Sequence, residues 1–124
     1  MSLLPTDAEL GILQILWESG PQTVRDVHNA LKGRSDVGYT TVLKFLQIMT
    51  EKGLVRRDTS ERAHVYEAAV EENDVQRSMV TELLDRAFGG SATKLVLSAL
   101  SAKRSSPDEL AQIQRLLRDL DPDS

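Results

Sequence analysis

The chain contains no cysteine, which removes disulfides, thiolate metal sites and cysteine nucleophiles from consideration. Aromatic residues make up only 4% of its 124 residues, leaving little from which to line a ligand pocket. No apolar run approaches the roughly 18–20 residues that a bilayer-spanning helix needs. The first basic side chain is Arg25, so the positive start of a secretory signal is missing, and a cytoplasmic protein without membrane insertion is expected. The only histidines, His28 and His64, lie on separate segments without Glu-x-x-His spacing, so a zinc site within one chain would also need carboxylates. Gly-rich phosphate loops, Gly-x-Ser-x-Gly and paired-carboxylate patterns are lacking too. No catalytic residue, metal or cofactor is expected.

What is present is the composition of an ordinary soluble domain, 40% hydrophobic and 27% charged. This length suits one compact domain or two very small ones. The net charge is −4, which does not advertise a nucleic-acid partner. Charge is uneven, however. Residues 38–66 hold five basic side chains (Lys44, Lys52, Arg56, Arg57, Arg62) against three acidic ones, a net +2, while the rest of the chain carries −6.

Periodicity orders the elements. Thr6-Asp7-Ala8-Glu9 has the form of a capping box, and Leu10, Ile12, Leu13, Leu16 and Trp17 follow at helical spacing until Ser19-Gly20-Pro21 stops the helix. Trp17, on this apolar stripe, reads as core rather than as a stacking platform. A second start at Thr23, with Asp26 three residues on, opens a short helix with Val24, Val27 and Leu31 inward and Arg25, His28, Asn29 and Lys32 on its polar face. Gly33 is expected to end it. After a turn at 34–38, the pattern predicts a third helix from Tyr39 to Lys52, with Val42, Phe45, Leu46 and Met49 inward and Gly53 as a left-handed cap. The alternating stretches 54–58 and 63–67 around Thr59-Ser60-Glu61-Arg62 predict a hairpin.

Beyond it, acidic residues crowd the start of a long helix, where they suit the positive end of the helix dipole. Val75, Met79, Leu83 and Phe88 form its stripe, and Gly89-Gly90 breaks it. A helix at 91–102 carries Leu95, Val96 and Leu100, and Ser106-Pro107 opens a last one with Leu110, Ile113, Leu117 and Leu120 on a single face. The expected fold is therefore mainly α with a small β-wing. Residues 1–70 would form a winged helix-turn-helix and residues 71–124 a three-helix region. So small a helical piece buries little surface alone, and a second copy is its natural partner.

Several segments carry a family resemblance: Leu16-Trp17-Glu18, Gly20-Pro21, Thr23-Val24-Arg25-Asp26-Val27, Tyr39-Thr40-Thr41-Val42, Glu51-Lys52-Gly53-Leu54, Arg62-Ala63-His64-Val65-Tyr66, Phe88-Gly89-Gly90-Ser91 and Ser106-Pro107-Asp108-Glu109-Leu110. Together they resemble the penicillinase repressors, the BlaI/MecI/CopY family, along nearly the whole chain. The resemblance implies a homodimer that binds a double-stranded DNA operator and represses a resistance or stress operon. The copper-sensing branch carries a cysteine-rich tail, which the absence of cysteine excludes here. In β-lactam-responsive members, a membrane sensor protease releases the repressor by cutting an Asn-Phe bond after Leu-Val-Leu. Here Leu95-Val96-Leu97 precedes Ser98-Ala99, so Ser98 and Ala99 mark a candidate cleavage position that the resemblance no longer implies.

With the resemblance in place, the outward residues of the third helix become candidates for DNA contact. Thr40 and Thr41 can bond phosphate or base, or else cap the helix. Lys44 can reach guanine or phosphate, Gln47 can pair with adenine, and Leu43 can touch a thymine methyl, with Tyr39 beside them. Arg57 and Arg62 flank the wing turn and can clamp phosphate, unless one pairs with Asp58 or Glu61. His64 can donate to phosphate or simply fill the outer face of the strand. Ile48 stands where many family members carry a basic residue, so either DNA is bound less electrostatically or Ile48 packs under the wing, the reading favoured here. The stripe from Val75 to Leu120 reads as a dimer seam more economically than as a ligand pocket. Two further readings are a winged helix used for protein interaction and a small-molecule-responsive repressor.

Overall fold

The computed structural model describes residues 4–121. Two compact units divide within one helix, the first ending at Val80 and the second starting at Thr81.

In the first unit, α1 (Asp7–Ser19) opens on a reciprocal capping box, Thr6 accepting from the Glu9 N–H and the Glu9 carboxylate accepting from the Thr6 N–H. Its end is set by Gly20, at φ 78° and ψ −162°, a region essentially restricted to glycine. A second capping box, Thr23 with Asp26, starts α2 (Val24–Leu31). This helix ends two residues before Gly33, with Lys32 still in right-handed geometry, so Gly33 is not a left-handed cap. α3 (Tyr39–Lys52) closes on Gly53 at φ 82°, as its spacing predicts.

The sheet is larger than the expected two-stranded wing. β2 (Val55–Asp58) and β3 (Val65–Ala68) pair antiparallel, and β1 (Gln22–Thr23) adds to the other side of β3, giving the order β1-β3-β2. A two-residue strand has no periodicity to read, which is why the sequence hides it. The wing loop is also longer than expected, and β3 starts only at Val65, leaving Ala63 and His64 in the loop.

Ile12, Leu13, Ile15 and Leu16 of α1, Val24 and Val27 of α2, and Val42, Leu46 and Met49 of α3 close over Leu54, Val55 and Tyr66 of the sheet side. Trp17 packs against this core, and its indole N–H donates to the Val70 carbonyl at 3.0 Å, tying α1 to the chain just after the wing. Phe45 is half-buried against the same core. Ile48 is half-buried as well but lies outside that cluster.

α4 (Glu72–Ala87) spans the divide between the units. Gly89 and Gly90, both at positive φ, then break the chain before α5 (Ala92–Ala102), which Ser91 caps. Ser106 caps α6 (Pro107–Leu120), with proline at the start where no N–H is needed. Neither α5 nor α6 contains a buried residue.

Candidate nucleic-acid interface

α3 starts from Gly38, which has extended geometry and offers no side chain to the first turn. Thr40 and Thr41 are exposed and do not cap the helix, so its first turn carries no side-chain cap and two exposed hydroxyl residues. The positive end of the helix dipole makes such an opening favourable to an anion. Lys44 and Gln47 project from the same helix into solvent, while Leu43 is half-buried. Inward Val42, Leu46 and Met49 are fully buried, which fixes the rotation of α3 and hence which residues point out.

The start of α3 is held by a contact that sequence reading missed. His28, half-buried on α2, donates from Nε2–H to the Val37 carbonyl at 3.0 Å. Its ring also meets Tyr39 edge-to-face, with centroids 6.0 Å apart and planes at 84°. The turn between the two helices is thereby anchored to α2. No periodic signal marks such a side-chain bridge.

The basic side chains divide into two groups. Lys52 binds the Glu9 carboxylate at 2.9 Å, and Arg56 binds Glu67 at 3.1 Å across the β2–β3 pair. These two are therefore engaged within the fold. Lys44, Arg57 and Arg62 have no acidic partner among the described residues. Asp58 does not pair with either wing arginine. Its carboxylate accepts the Ser60 N–H at 2.9 Å, and this bond holds its pKa below the usual value. Arg57 lies directly opposite Tyr66 in the hairpin register, on the face that also carries buried Val55.

Tyr39, Arg62 and His64, named separately from the sequence, line one cleft of about 470 Å³. Thr23 and Arg25, at the start of α2, line it as well. Arg25 was legible only as part of a polar helix face, and the cleft is what brings it to the wing. Among the described residues, no acidic side chain lines this cleft.

Along the apolar stripe, Met79, Leu83, Leu100, Leu110, Leu117 and Leu120 are exposed, as are Val96, Leu97 and Leu116. Phe88, Leu95 and Ile113 are half-buried. Val75 differs: it is 7% exposed, beside Leu54 and Val70 in the first unit, so it has little surface left for a second copy. Phe88 lies just past the end of α4 rather than on its stripe. Ser98 and Ala99 are exposed within α5. Among the described residues no group of carboxylates and histidines is arranged to hold a metal, and no helix is long and apolar enough to cross a membrane.

The profile of the penicillinase repressor family matches residues 5–119. A transcriptional regulator BlaI from Mycobacterium tuberculosis is 32% identical over 116 residues, covering 93% of this chain and 83% of that protein. The penicillinase repressor of Bacillus licheniformis is 23% identical, covering 92% and 89%. Among solved structures, the monomeric form of Bacillus licheniformis BlaI in complex with the blaP half-operator is similar with a TM-score of 0.50 and 24% identity. It covers 56% of this chain and 85% of that one, and it supports the winged-helix fold. The named relatives are regulators and repressors rather than enzymes. With a winged helix in its first unit and a family match along almost its whole length, the chain belongs to the penicillinase repressor family of DNA-binding transcriptional repressors.

Proposed function

We propose that two copies of this chain form a repressor that binds a pseudo-palindromic operator controlling a resistance or stress operon. Each copy would place α3 in a major groove, with the two grooves about 34 Å apart, and lay its wing along the sugar–phosphate backbone. The carrying observation is that Lys44, Arg57 and Arg62, on α3 and the wing of a chain that is acidic as a whole, have no acidic partner among the described residues. In this role Gln47 and Lys44 read base edges, and Tyr39, Thr40 and Thr41 position the start of α3. Arg57, Arg62 and His64 hold phosphates.

Residues 1–70 would form the DNA-reading part and residues 71–124 the dimerisation part. α5 and α6 leave Leu97, Leu116, Leu117 and Leu120 each more than half exposed, an apolar surface that water disfavours. Proteolytic release by a membrane sensor protease would act at Ser98–Ala99, separating two linked half-site readers and so lowering their effective concentration on DNA. Both residues are accessible but helical, so cutting there requires α5 to open first. A chain that stays intact with such a protease, while its operator complex remains bound, would remove this route.

The test of the function is selection of bound duplexes from sheared DNA of the source genome, with salt raised stepwise. An enriched inverted repeat supports the repressor and its neighbouring genes name the operon. No enrichment from a folded, dimeric sample would overturn it in favour of a winged helix used for protein interaction.

A further inference from the structure

The cleft between α2, α3 and the wing has a composition that the reading of α3 and wing alone does not use. Two arginines from different elements, Arg25 at the start of α2 and Arg62 in the wing loop, border it together with His64. Neither arginine has a hydrogen-bond or ion-pair partner among the described residues. Each has an acid next to it in sequence, yet Asp26 accepts the Thr23 N–H at 3.1 Å in the α2 capping box, and Glu61 forms no ion pair with Arg62 among the described residues. Val24, Leu43 and Tyr66 supply an apolar floor. Like charges brought to one cleft repel unless an anion lies between them, and an apolar floor under a cationic rim matches a deoxyribose joined to its phosphate.

We propose that this cleft holds one sugar–phosphate unit of the bound duplex, gripped from both sides by Arg25 and Arg62. The wing then does not touch the backbone alone. α2 closes on it from the opposite wall, and the spacing between α3 and the wing is set by the strand they enclose. This rests on the DNA-binding reading above.

The test uses the full chain and a duplex spanning two half-sites, with affinity measured by fluorescence anisotropy at stepped potassium chloride. Arg25→Gln should weaken binding to every sequence and lower the slope of log affinity against log salt by about 0.9 for each half-site, as Arg62→Gln does. Lys32→Gln, at the far end of α2 and outside the cleft, should leave the slope unchanged. A second measurement replaces single phosphates with neutral methylphosphonates. At one position per half-site the substitution should cost the wild type affinity and cost Arg25→Gln almost nothing further. Wild-type slope and affinity in Arg25→Gln, with Arg62→Gln impaired, would overturn the two-sided grip and leave DNA binding intact. Absence of any phosphate position coupled to Arg25 would overturn it equally. A wild type that shows no salt-dependent duplex binding would instead sink the DNA reading itself. Arg25 is exposed and has no bonded partner among the described residues, so matched thermal melts should accompany each result.

Discussion

Glu9 and Lys52 join the first turn of α1 to the last turn of α3. The Lys52 ammonium donates to both carboxylate oxygens, at 3.0 and 2.9 Å, while Glu9 also accepts the Thr6 N–H in the capping box. Glu9 is 2% exposed, yet every buried polar side-chain atom among the described residues has a partner. One carboxylate thus starts a helix and fixes the far end of the helix proposed to read DNA.

This pair makes stability depend on pH in a definite direction. Burial pulls the Glu9 carboxyl upward, but the Thr6 N–H bond and the Lys52 ammonium together outweigh burial and hold its pKa below the usual glutamate value. A group with a depressed folded pKa adds stability above its unfolded pKa, and loses it as pH falls through the folded one. Urea midpoints should therefore drop on acidification below the ordinary glutamate range. Lys52→Met should cost about 1–3 kcal/mol at neutral pH by leaving a buried carboxylate with one partner fewer, the lower end reflecting the 40% exposure of Lys52. It should also move the acid transition to higher pH. An unchanged acid transition in Lys52→Met would show that the pair has no such influence.

Substitutions on the outer face of α3 should change which sequence is bound. Lys44→Ala and Gln47→Ala are each expected to lose about 1–3 kcal/mol of discrimination at one base position, with little change at the others. Binding to a set of duplexes varied one base pair at a time measures this. A uniform loss across all duplexes would assign these side chains to phosphate instead.

The wing should behave in the opposite way. Arg57→Ala is expected to weaken all duplexes alike and to reduce the salt slope by about 1 per half-site. Arg56→Ala is the contrast, because its guanidinium is engaged with Glu67 on the exposed face of the hairpin. It should leave the salt slope close to wild type, and equal slopes for both variants would show that the free and paired arginines are not distinguished by DNA.

The two ends of the apolar stripe should separate association from folding. Leu97→Asp with Leu117→Asp places charges on surfaces about 60% exposed in one chain, and sedimentation should show a monomer that keeps its winged helix. Val75→Ala removes buried methyl groups from the first unit and should cost about 1–2 kcal/mol of stability without altering the proposed self-association. A dimer that survives the aspartates would place the seam elsewhere.

Most of the elements were legible because each carries its own local signal. Thr6 with Glu9 and Thr23 with Asp26 start helices, Gly53 ends one, and the inward set of α3 repeats at helical spacing. The outward set followed by elimination. β1 escaped because two residues cannot show an alternating pattern, and the wing loop was drawn too short because Ala63 and His64 alternate in character without being paired. Arg25 and His28 were visible only as members of a polar face. Their neighbours, the wing loop for one and Val37 with Tyr39 for the other, come from segments that local periodicity does not connect.

By itself, the sequence determined the order of helices and wing and the absence of thiol chemistry, which follow from residue type and short-range spacing acting over a few bonds; the family came from its likeness to known repressors along residues 5–119. The tertiary structure decided which charges are free. Lys52 and Arg56 look as available in the sequence as Arg57 and Arg62, and only the approach of Glu9, across 43 residues, and of Glu67, across the hairpin, withdraws them. An ion pair depends on distance in space, and the chain states only distance along itself.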